Sequence, residues 1–227
     1  MAHFLIVTDD VNDWRPYLPS DHMVTVHDYL EMGAFADQSA MQVINLCRSY
    51  DYLSTGYYCS LMAEARGHRV IPRVMTINDL SQDRFFSLPQ SGLDKLPESV
   101  NEISMKLYFG YCDNPSLDKL ARKIFERFTV PVLQVSLLKM SGKWQVNTIE
   151  PAAFQDLTEP EQDLFAKYLE VFSQKVWRLP KPSKRYRYEI AMLVDEHEKM
   201  PPSDKAALKL FTKSANRIGM DLVQIGS

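Results

Sequence analysis

The sequence predicts an α/β fold with a mixed, mainly parallel sheet, flanking helices, a C-terminal antiparallel hairpin and a truncated βαβ start of a second domain. In the first half of the 227 residues, apolar β-branched runs alternate with capped helical segments, which is typical of parallel strands joined by helices. Two strand-like runs then flank Met140-Ser141-Gly142, a hairpin signal. A new strand, helix and strand follow a proline-containing basic stretch and predict the second domain.

The first strands are predicted from buried, β-branched runs, and they cover residues 3–8, 23–26 and 42–47. Ser54 offers a capping side chain for a helix through Arg66, and Gly67 is suited to end that helix. Residues 69–72 return as an extended segment. The stretch from 42 to 72 therefore forms one βαβ-like unit.

The middle of the chain combines strands and helices after a polar stretch at 78–100. The predicted elements are a strand at 104–110, a helix from Asn114 through about Phe128, hairpin strands at 131–139 and 143–149, and a helix over 159–177. Pro115 suits the first turn of its helix. Apolar residues at helical spacing indicate that the last helix covers the hairpin or a neighbouring face.

Regular structure is expected to lapse at residues 178–187, which contain two prolines and several basic side chains. A strand at 188–194, a helix from Ser203 through Arg217 and a strand at 221–225 follow. We therefore expect an α/β domain at 1–177, a basic linker at 178–187 and the truncated start of another domain at 188–227. A βαβ unit without the rest of its sheet suggests a fragment of a longer protein.

Composition and charge exclude several classes of protein. Hydrophobic residues make up 45% and charged residues 24%, as in ordinary globular domains. The net charge of -3 supplies no general attraction for nucleic acid, and no apolar run approaches the roughly 18 residues of a membrane span. The N-terminal run meets acidic residues too early for a secretory signal, so we expect a cytoplasmic protein. Three cysteines without a CxxC pair predict reduced thiols.

The strongest candidate site is the segment between the predicted strand at 42–47 and the following helix, where α/β folds often bind ligands. We predict substrate or anion binding by Arg48, Ser49, Tyr50, Tyr52, Ser54 and Thr55. A helix N-terminus favours an anion, an arginine can hold a carboxylate with two hydrogen bonds, and hydroxyls can donate further bonds. The alternative is structural: Ser54 or Thr55 only caps the helix, Arg48 pairs with a carboxylate of the chain, and the tyrosines pack.

Two other candidates carry less weight. Cys47 could act as a nucleophile beside Arg48 and the helix N-terminus, but its strand context favours a buried thiol. Asp9, Asp10 and Asp13 could hold magnesium after the first strand, or form a solvated acidic loop. The sequence contains no GxGxxG, GxxxxGK[ST] or GxSxG motif. We predict no catalytic residue and no metal ligand in this chain.

One group of segments resembles the N-terminal region of RimK-like ATP-grasp proteins, over about residues 1–175. These segments are Asn45-Leu46-Cys47-Arg48-Ser49-Tyr50, Gly56-Tyr57-Tyr58, Ser60-Leu61, Ala63-Glu64-Ala65-Arg66-Gly67-His68, Pro72 and Thr76-Ile77-Asn78-Asp79-Leu80. The run from Asn45 to Tyr50 is the most specific. Residues 188–225, with Pro201-Pro202-Ser203-Asp204-Lys205, resemble the opening of the ligase module that follows in such proteins.

The resemblance implies an accessory domain for substrate selection or docking in an ATP-dependent carboxylate–amine ligase. In that family the ligase module uses ATP and magnesium to activate a carboxylate as an acyl phosphate, which an amine then attacks. Its best-known member adds glutamate to a ribosomal protein. ATP and magnesium are thus expected for the full-length ligase and no cofactor for this segment.

The expected partners are the C-terminal ATP-grasp module, an amino acid or acidic peptide, and a second copy of the chain. Neither a membrane nor nucleic acid is expected. The alternative is a protein-interaction or oligomerisation module with no small-molecule site.

Overall fold

The computed structural model describes residues 4–13, 22–31, 41–81, 93, 96, 100–140, 142–173, 188–194 and 205–226. The chain divides into two compact units, Met1–Leu179 and Pro180–Ser227. Parallel strands with helices, and a separate set of antiparallel strands, confirm the predicted α/β class.

The first unit has the following elements among its described residues: β1 Phe4–Thr8, β2 Met23–Thr25, α1 Val26–Glu31, β3 Gln42–Asn45, α2 Thr55–Ala65, β4 Arg69–Ile71, α3 Val74–Leu80, β5 Glu102–Tyr108, α4 Asp118–Arg127, β6 Val132–Met140, β7 Lys143–Pro151 and α5 Glu159–Ser173. Short 3-10 helices cover Val11–Asp13, Pro115–Leu117 and Phe154–Asp156. The second unit contains β8 Tyr188–Val194, α6 Lys205–Arg217 and β9 Met220–Gly226.

The described strands of the first unit form two sheets. One is wholly parallel, in the order β2-β1-β3-β4, and the other is antiparallel, in the order β5-β6-β7. All seven residues of β5 pair with β6, so the β6–β7 hairpin is extended by β5 within its own sheet. The predicted parallel strands and the predicted hairpin are both present, in separate sheets.

The parallel sheet is buried because helices cover it. All four residues of β3 are buried, as expected for a central parallel strand. Helix α2 packs with a face of small residues, namely Gly56, Cys59, Ser60 and Ala63, and all of them are buried. Small side chains let the helix approach the sheet closely.

A second core joins the two sheets through α5. Phe165 and Leu169 of α5 pack with apolar residues from both sheets, including Ile44 and Val132. The Lys106 ammonium also donates to both carboxylate oxygens of Glu161, at 2.8 and 2.9 Å, and so ties β5 to α5. The predicted role of this helix in covering the hairpin or a neighbouring face agrees with these contacts.

Two short helices were not predicted from the sequence. The strand expected at 23–26 stops at Thr25, because α1 begins at Val26. The Thr25 hydroxyl accepts a hydrogen bond from the Asp28 amide at 3.1 Å, as a capping residue does. Helix α3 begins directly after the strand at 69–71, and its Val74 amide donates to the Glu64 carboxylate of α2 at 3.2 Å.

Other predicted boundaries differ slightly. The helix expected after Asn114 begins as the 3-10 helix Pro115–Leu117 before α4. The linker at 178–187, the cap at Ser203 and residues 174–177 lie outside the described residues.

Among its described residues, the second unit has a parallel pair of strands and one helix between them in the chain. Strand β8 pairs with β9 over seven residues, from Tyr188 with Met220 to Val194 with Gly226. Ala215 of α6 is buried, whereas Leu193 and Phe211 are exposed. No helix in the described part of the chain is long and apolar enough to span a membrane.

Candidate functional site

The candidate site lies where β1 and β3 end. These strands are parallel neighbours in register, with Val7 opposite Asn45, so the segments that follow them meet at the carboxyl edge of the sheet. The segment after β1 carries three aspartates, and the segment after β3 carries all the predicted site residues. This edge is the usual position of a ligand in an open parallel sheet.

Asn45 fixes the end of β3 to the start of α2. Its side chain is fully buried, and its amide nitrogen donates to the Gly56 carbonyl at 2.7 Å and to the Ser60 hydroxyl at 3.0 Å. Its side-chain oxygen accepts from the Cys47 amide at 3.1 Å. An asparagine at the end of an apolar strand is the sequence signal for this role, which the sequence pattern alone did not reveal.

Gly56 allows the loop to lie directly against the helix. A Cβ atom at this position would come within 2.3 Å of the Ser49 carbonyl oxygen and 2.9 Å of the Cys47 Cβ. Only glycine fits such a close approach of two backbone segments. The first turn of α2 therefore holds the loop in one position.

Arg48 forms an ion pair with Asp13. Its Nη2 donates to both carboxylate oxygens, at 2.7 and 2.8 Å, and its Nε donates to one of them at 3.2 Å. The Arg48 side chain is 58% exposed and that of Asp13 18% exposed. Hydrogen bonding to Asp13 raises the pKa of Arg48 above its ordinary value, so the guanidinium stays charged. Gln155 also donates to Asp13, at 3.0 Å.

Asp9 occupies the N-terminal end of α2. One carboxylate oxygen accepts from the Arg48 amide at 2.6 Å, and the other accepts from the Thr55 hydroxyl at 2.8 Å. The Ser54 hydroxyl caps the helix by accepting from the Tyr57 amide at 3.2 Å. The sequence predicts free donors for an external anion at this position. The chain places its own carboxylate there.

The tip of the loop is exposed. The Ser49 hydroxyl donates to the carboxylate of Asp51, two residues further along the loop, at 2.8 Å. Tyr52 is 74% exposed, and its ring meets that of Tyr57 edge to face at 5.3 Å. Leu53 is 57% exposed and has a φ of 70°, a left-handed conformation that is unfavourable for leucine.

The six predicted residues thus have different surroundings. Arg48, Tyr52 and Thr55 are exposed, and Ser49 and Ser54 are half-buried. Tyr50 is buried, and its hydroxyl donates to the Asn45 carbonyl at 2.7 Å. Burial raises the pKa of Tyr50 well above its usual value. Ligand binding by these residues remains a prediction.

Cys47 and the three aspartates have structural contacts. A hydrogen bond with Cys59 and burial raise the pKa of the Cys47 thiol far above its ordinary value, which disfavours a nucleophilic thiolate. Asp10 accepts from the Asn12 amide at 2.8 Å. Within the described residues, no group of three or more His, Cys, Asp or Glu side chains is placed to hold a metal ion.

Comparison with protein families adds a decisive observation to this geometry. The family model of the RimK-like ATP-grasp N-terminal domain matches residues 26–168, more than half of the chain. The chain belongs to this family. The resemblance found in the sequence is therefore confirmed. A comparison with curated proteins gives no match.

The part of this RimK-like ATP-grasp N-terminal domain that the family model matches includes the loop at 48–55, strands β3 and β4 of the parallel sheet, and the antiparallel sheet. Strand β1 precedes it, together with Asp9 and Asp13. Arg48 thus lies inside the matched segment, whereas both carboxylates that bind it lie outside.

Proposed function

We propose that this domain is an accessory part of an ATP-dependent carboxylate–amine ligase, and that it selects or docks the ligase's substrate at the loop 48–55. The observation that carries the proposal is the position of Arg48: a charged guanidinium, 58% exposed, at the carboxyl edge of a parallel sheet. Membership of the RimK-like family supports the link to a ligase. The domain performs no catalysis of its own in this proposal.

The proposed substrate carries a carboxylate, as an amino acid or an acidic peptide does. In the full-length ligase, ATP and magnesium would activate a carboxylate as an acyl phosphate, and an amine would then form the amide. In this proposal the full-length ligase modifies peptides in the cytoplasm, for example by adding glutamate. The C-terminal ATP-grasp module is the proposed partner of this domain.

The hydrogen-bond donors of Arg48 set how such a carboxylate can bind. Asp13 occupies the Nε and Nη2 side of the guanidinium, and Nη1 makes no hydrogen bond with any described residue. A substrate carboxylate can approach from the Nη1 side while Asp13 holds the group in place. However, the charge of Asp13 opposes an incoming anion, so affinity depends on both residues.

This dependence gives a test in which two variants move in opposite directions. The melting temperature of the chain is measured with single amino acids, short acidic peptides, phosphate, and ATP with magnesium, because a ligand of the folded state raises it. Arg48→Ala is expected to abolish the shift caused by carboxylate ligands. Asp13→Asn is expected to enlarge that shift, since it removes the competing negative charge.

Arg48→Lys serves as the matched control, because it keeps the charge but loses the two-pronged geometry. We expect it to retain only part of the shift. An equal shift in all three variants and the unaltered chain would contradict the proposed site. A shift with ATP alone would instead indicate that nucleotide binds to this chain.

A second candidate function is a protein-interaction module in which the loop is structural. It is favoured by the contacts within the chain, because Arg48 pairs with Asp13 as in a structural ion pair and the Ser54 hydroxyl caps α2. In that case both Arg48→Ala and Asp13→Asn lower the melting temperature, and titrations with the same ligands stay flat. Equilibrium unfolding of the two single variants and the double variant would measure the coupling.

A further inference from the structure

The arginine of the candidate site is set among acidic side chains. Arg48 is the only basic residue in the two segments that form the site, 9–13 and 45–55. Hydrogen bonding to Asp13 raises the pKa of this arginine, and the charges of Asp9 and Asp10 raise it further. Asp51 adds another carboxylate on the loop itself. The site is therefore negative overall, although it carries the arginine that would bind a carboxylate.

This charge balance separates the two classes of ligand that a carboxylate site accepts. An acidic peptide brings several negative charges, which the aspartates repel at close range. An α-amino acid brings one carboxylate and, on the neighbouring carbon atom, one ammonium group. The aspartates attract that ammonium group, so the same charges that oppose an acidic peptide favour a zwitterion.

Two charged atoms of the site make no hydrogen bond with any described residue. One is Nη1 of Arg48, because Asp13 accepts from Nε and Nη2. The other is Oδ2 of Asp10, since the backbone and side-chain amides of Asn12 both donate to Oδ1, at 2.8 Å each. Asp9 and Asp13 differ from Asp10, because each uses both of its carboxylate oxygens within the chain.

The two atoms belong to segments that are bonded to each other. The Asp13 amide donates to the Asp10 carbonyl at 3.1 Å, so both residues lie in one short turn. The Asp13 carboxylate binds the Arg48 guanidinium, and the Asp9 carboxylate accepts from the Arg48 amide. Arg48 thus contacts the chain on both sides of Asp10 in the sequence. Arg48 and Asp10 are both exposed, so a ligand has access to them.

We propose that this site binds a free α-amino acid as its zwitterion, with the carboxylate on Nη1 of Arg48 and the ammonium group on Oδ2 of Asp10. Hydrogen bonds between charged groups are about twice as strong as those between neutral groups. The inference rests on the proposed function of the loop and narrows its substrate to free amino acids. The terminal carboxylate of a peptide has an amide nitrogen on the neighbouring carbon atom and therefore lacks the ammonium group.

A series of matched ligands tests the proposal on the unaltered chain. Isothermal titration calorimetry, at neutral pH and low salt, compares alanine with two derivatives. N-acetylalanine keeps the carboxylate and lacks the ammonium group, and alaninamide keeps the ammonium group and lacks the carboxylate. Each derivative is expected to bind about tenfold more weakly than alanine or worse, because it loses a hydrogen bond between charged groups.

Asp10→Asn tests the ammonium contact separately. It should abolish the preference for alanine over N-acetylalanine, because a carboxamide oxygen lacks the negative charge that attracts an ammonium group. Asp51→Asn is the matched control. It removes a carboxylate that already accepts from the Ser49 hydroxyl, and it should leave the preference unchanged. Melting curves establish that both variants are folded.

The outcomes distinguish this inference from the proposed function on which it rests. If N-acetylalanine or an acidic peptide binds as tightly as alanine, and Arg48→Ala abolishes both, the carboxylate site stands and the zwitterion is wrong. Equal binding of alaninamide and alanine, or an unchanged preference in Asp10→Asn, would also overturn the inference. No binding of any of these ligands would overturn both the inference and the carboxylate site.

Discussion

Two aromatic clusters of the first unit have similar distances between ring centroids, but one cluster is buried and the other is exposed. In the buried cluster, the ring centroid of Phe165 in α5 lies 5.2 Å from that of Phe109 and 4.9 Å from that of Phe154. In the exposed cluster, Tyr52 lies 5.3 Å from Tyr57 at the loop before α2. Phe165 is fully buried, whereas Tyr52 is 74% exposed.

The comparison shows that ring geometry alone does not indicate what a cluster contributes. Removing a buried ring loses its transfer free energy and leaves a cavity, whereas removing an exposed ring does neither. Fold stability should therefore depend on the buried cluster, and surface recognition on the exposed one. This division predicts a graded series of effects.

The largest effect is expected at the centre of the buried cluster. Phe165→Ala should lower the free energy of unfolding by about 3–5 kcal/mol, the range for a fully buried phenylalanine. Urea denaturation followed by circular dichroism measures this change. Tyr52→Ala is the matched control and should stay within about 0.5 kcal/mol of the unaltered chain. Similar losses of unfolding free energy in both variants would contradict the expected difference between the buried and the exposed cluster.

The next effect concerns the scaffold beneath the exposed cluster. Gly56→Ala should lower the free energy of unfolding by about 2 kcal/mol, because the new Cβ meets the Ser49 carbonyl oxygen and the Cys47 side chain. At an open helical position the same change would stabilise by about 1 kcal/mol. A lower free energy of unfolding for Gly56→Ala in urea would show that the loop is held rigidly against α2. A higher free energy of unfolding would show that the loop can move away.

A smaller effect is expected beside the buried cluster, at Glu161. Burial opposes ionisation of this carboxyl, but hydrogen bonds from Lys106 and Thr158 outweigh it and lower its pKa. The resulting stabilisation is present above the pKa of glutamate in the unfolded chain, and it is lost as the pH falls through the lower folded pKa. Glu161→Gln should thus cost about 1 kcal/mol at pH 7 and nothing in strong acid.

Unfolding free energies of the Glu161→Gln variant, measured across pH, check this prediction. Exposed Glu126 on α4 provides the control, and Glu126→Gln should change stability little at any pH. A pH-independent loss in Glu161→Gln would indicate that packing, rather than charge, explains the effect.

The smallest effect should have the opposite sign. Leu53→Gly removes an exposed leucine from a left-handed conformation, so it should raise the free energy of unfolding by up to about 1 kcal/mol. Higher stability in urea denaturation would sharpen the comparison, and a clear loss of stability would contradict it.

Local signals were sufficient to predict much of the architecture. The apolar run that ends at Asn45 predicted a buried parallel strand, and Ser54 predicted the start of the next helix. The turn around Gly142 predicted the hairpin, and Gly142 has the positive φ that such a turn requires. These features depend on residues close together in the sequence.

Features that depend on distant residues were not predictable in the same way. Helix α3 takes its cap from Glu64 of another helix, and no local pattern reveals that bond. The bond between Arg48 and Asp13 joins residues 35 positions apart. A carboxylate partner for Arg48 was one of two expectations, and the sequence alone did not identify which aspartate would supply it.

The bond between Gln155 and Asp13 has a consequence for communication within the domain. It spans 142 residues of sequence and connects the segment before α5 to the acidic partner of Arg48. A ligand that displaces Asp13 would therefore also change the acceptor of the Gln155 amide. The side-chain amide resonance of Gln155 would then report occupancy of the loop from a residue 142 positions away from Asp13 in the sequence.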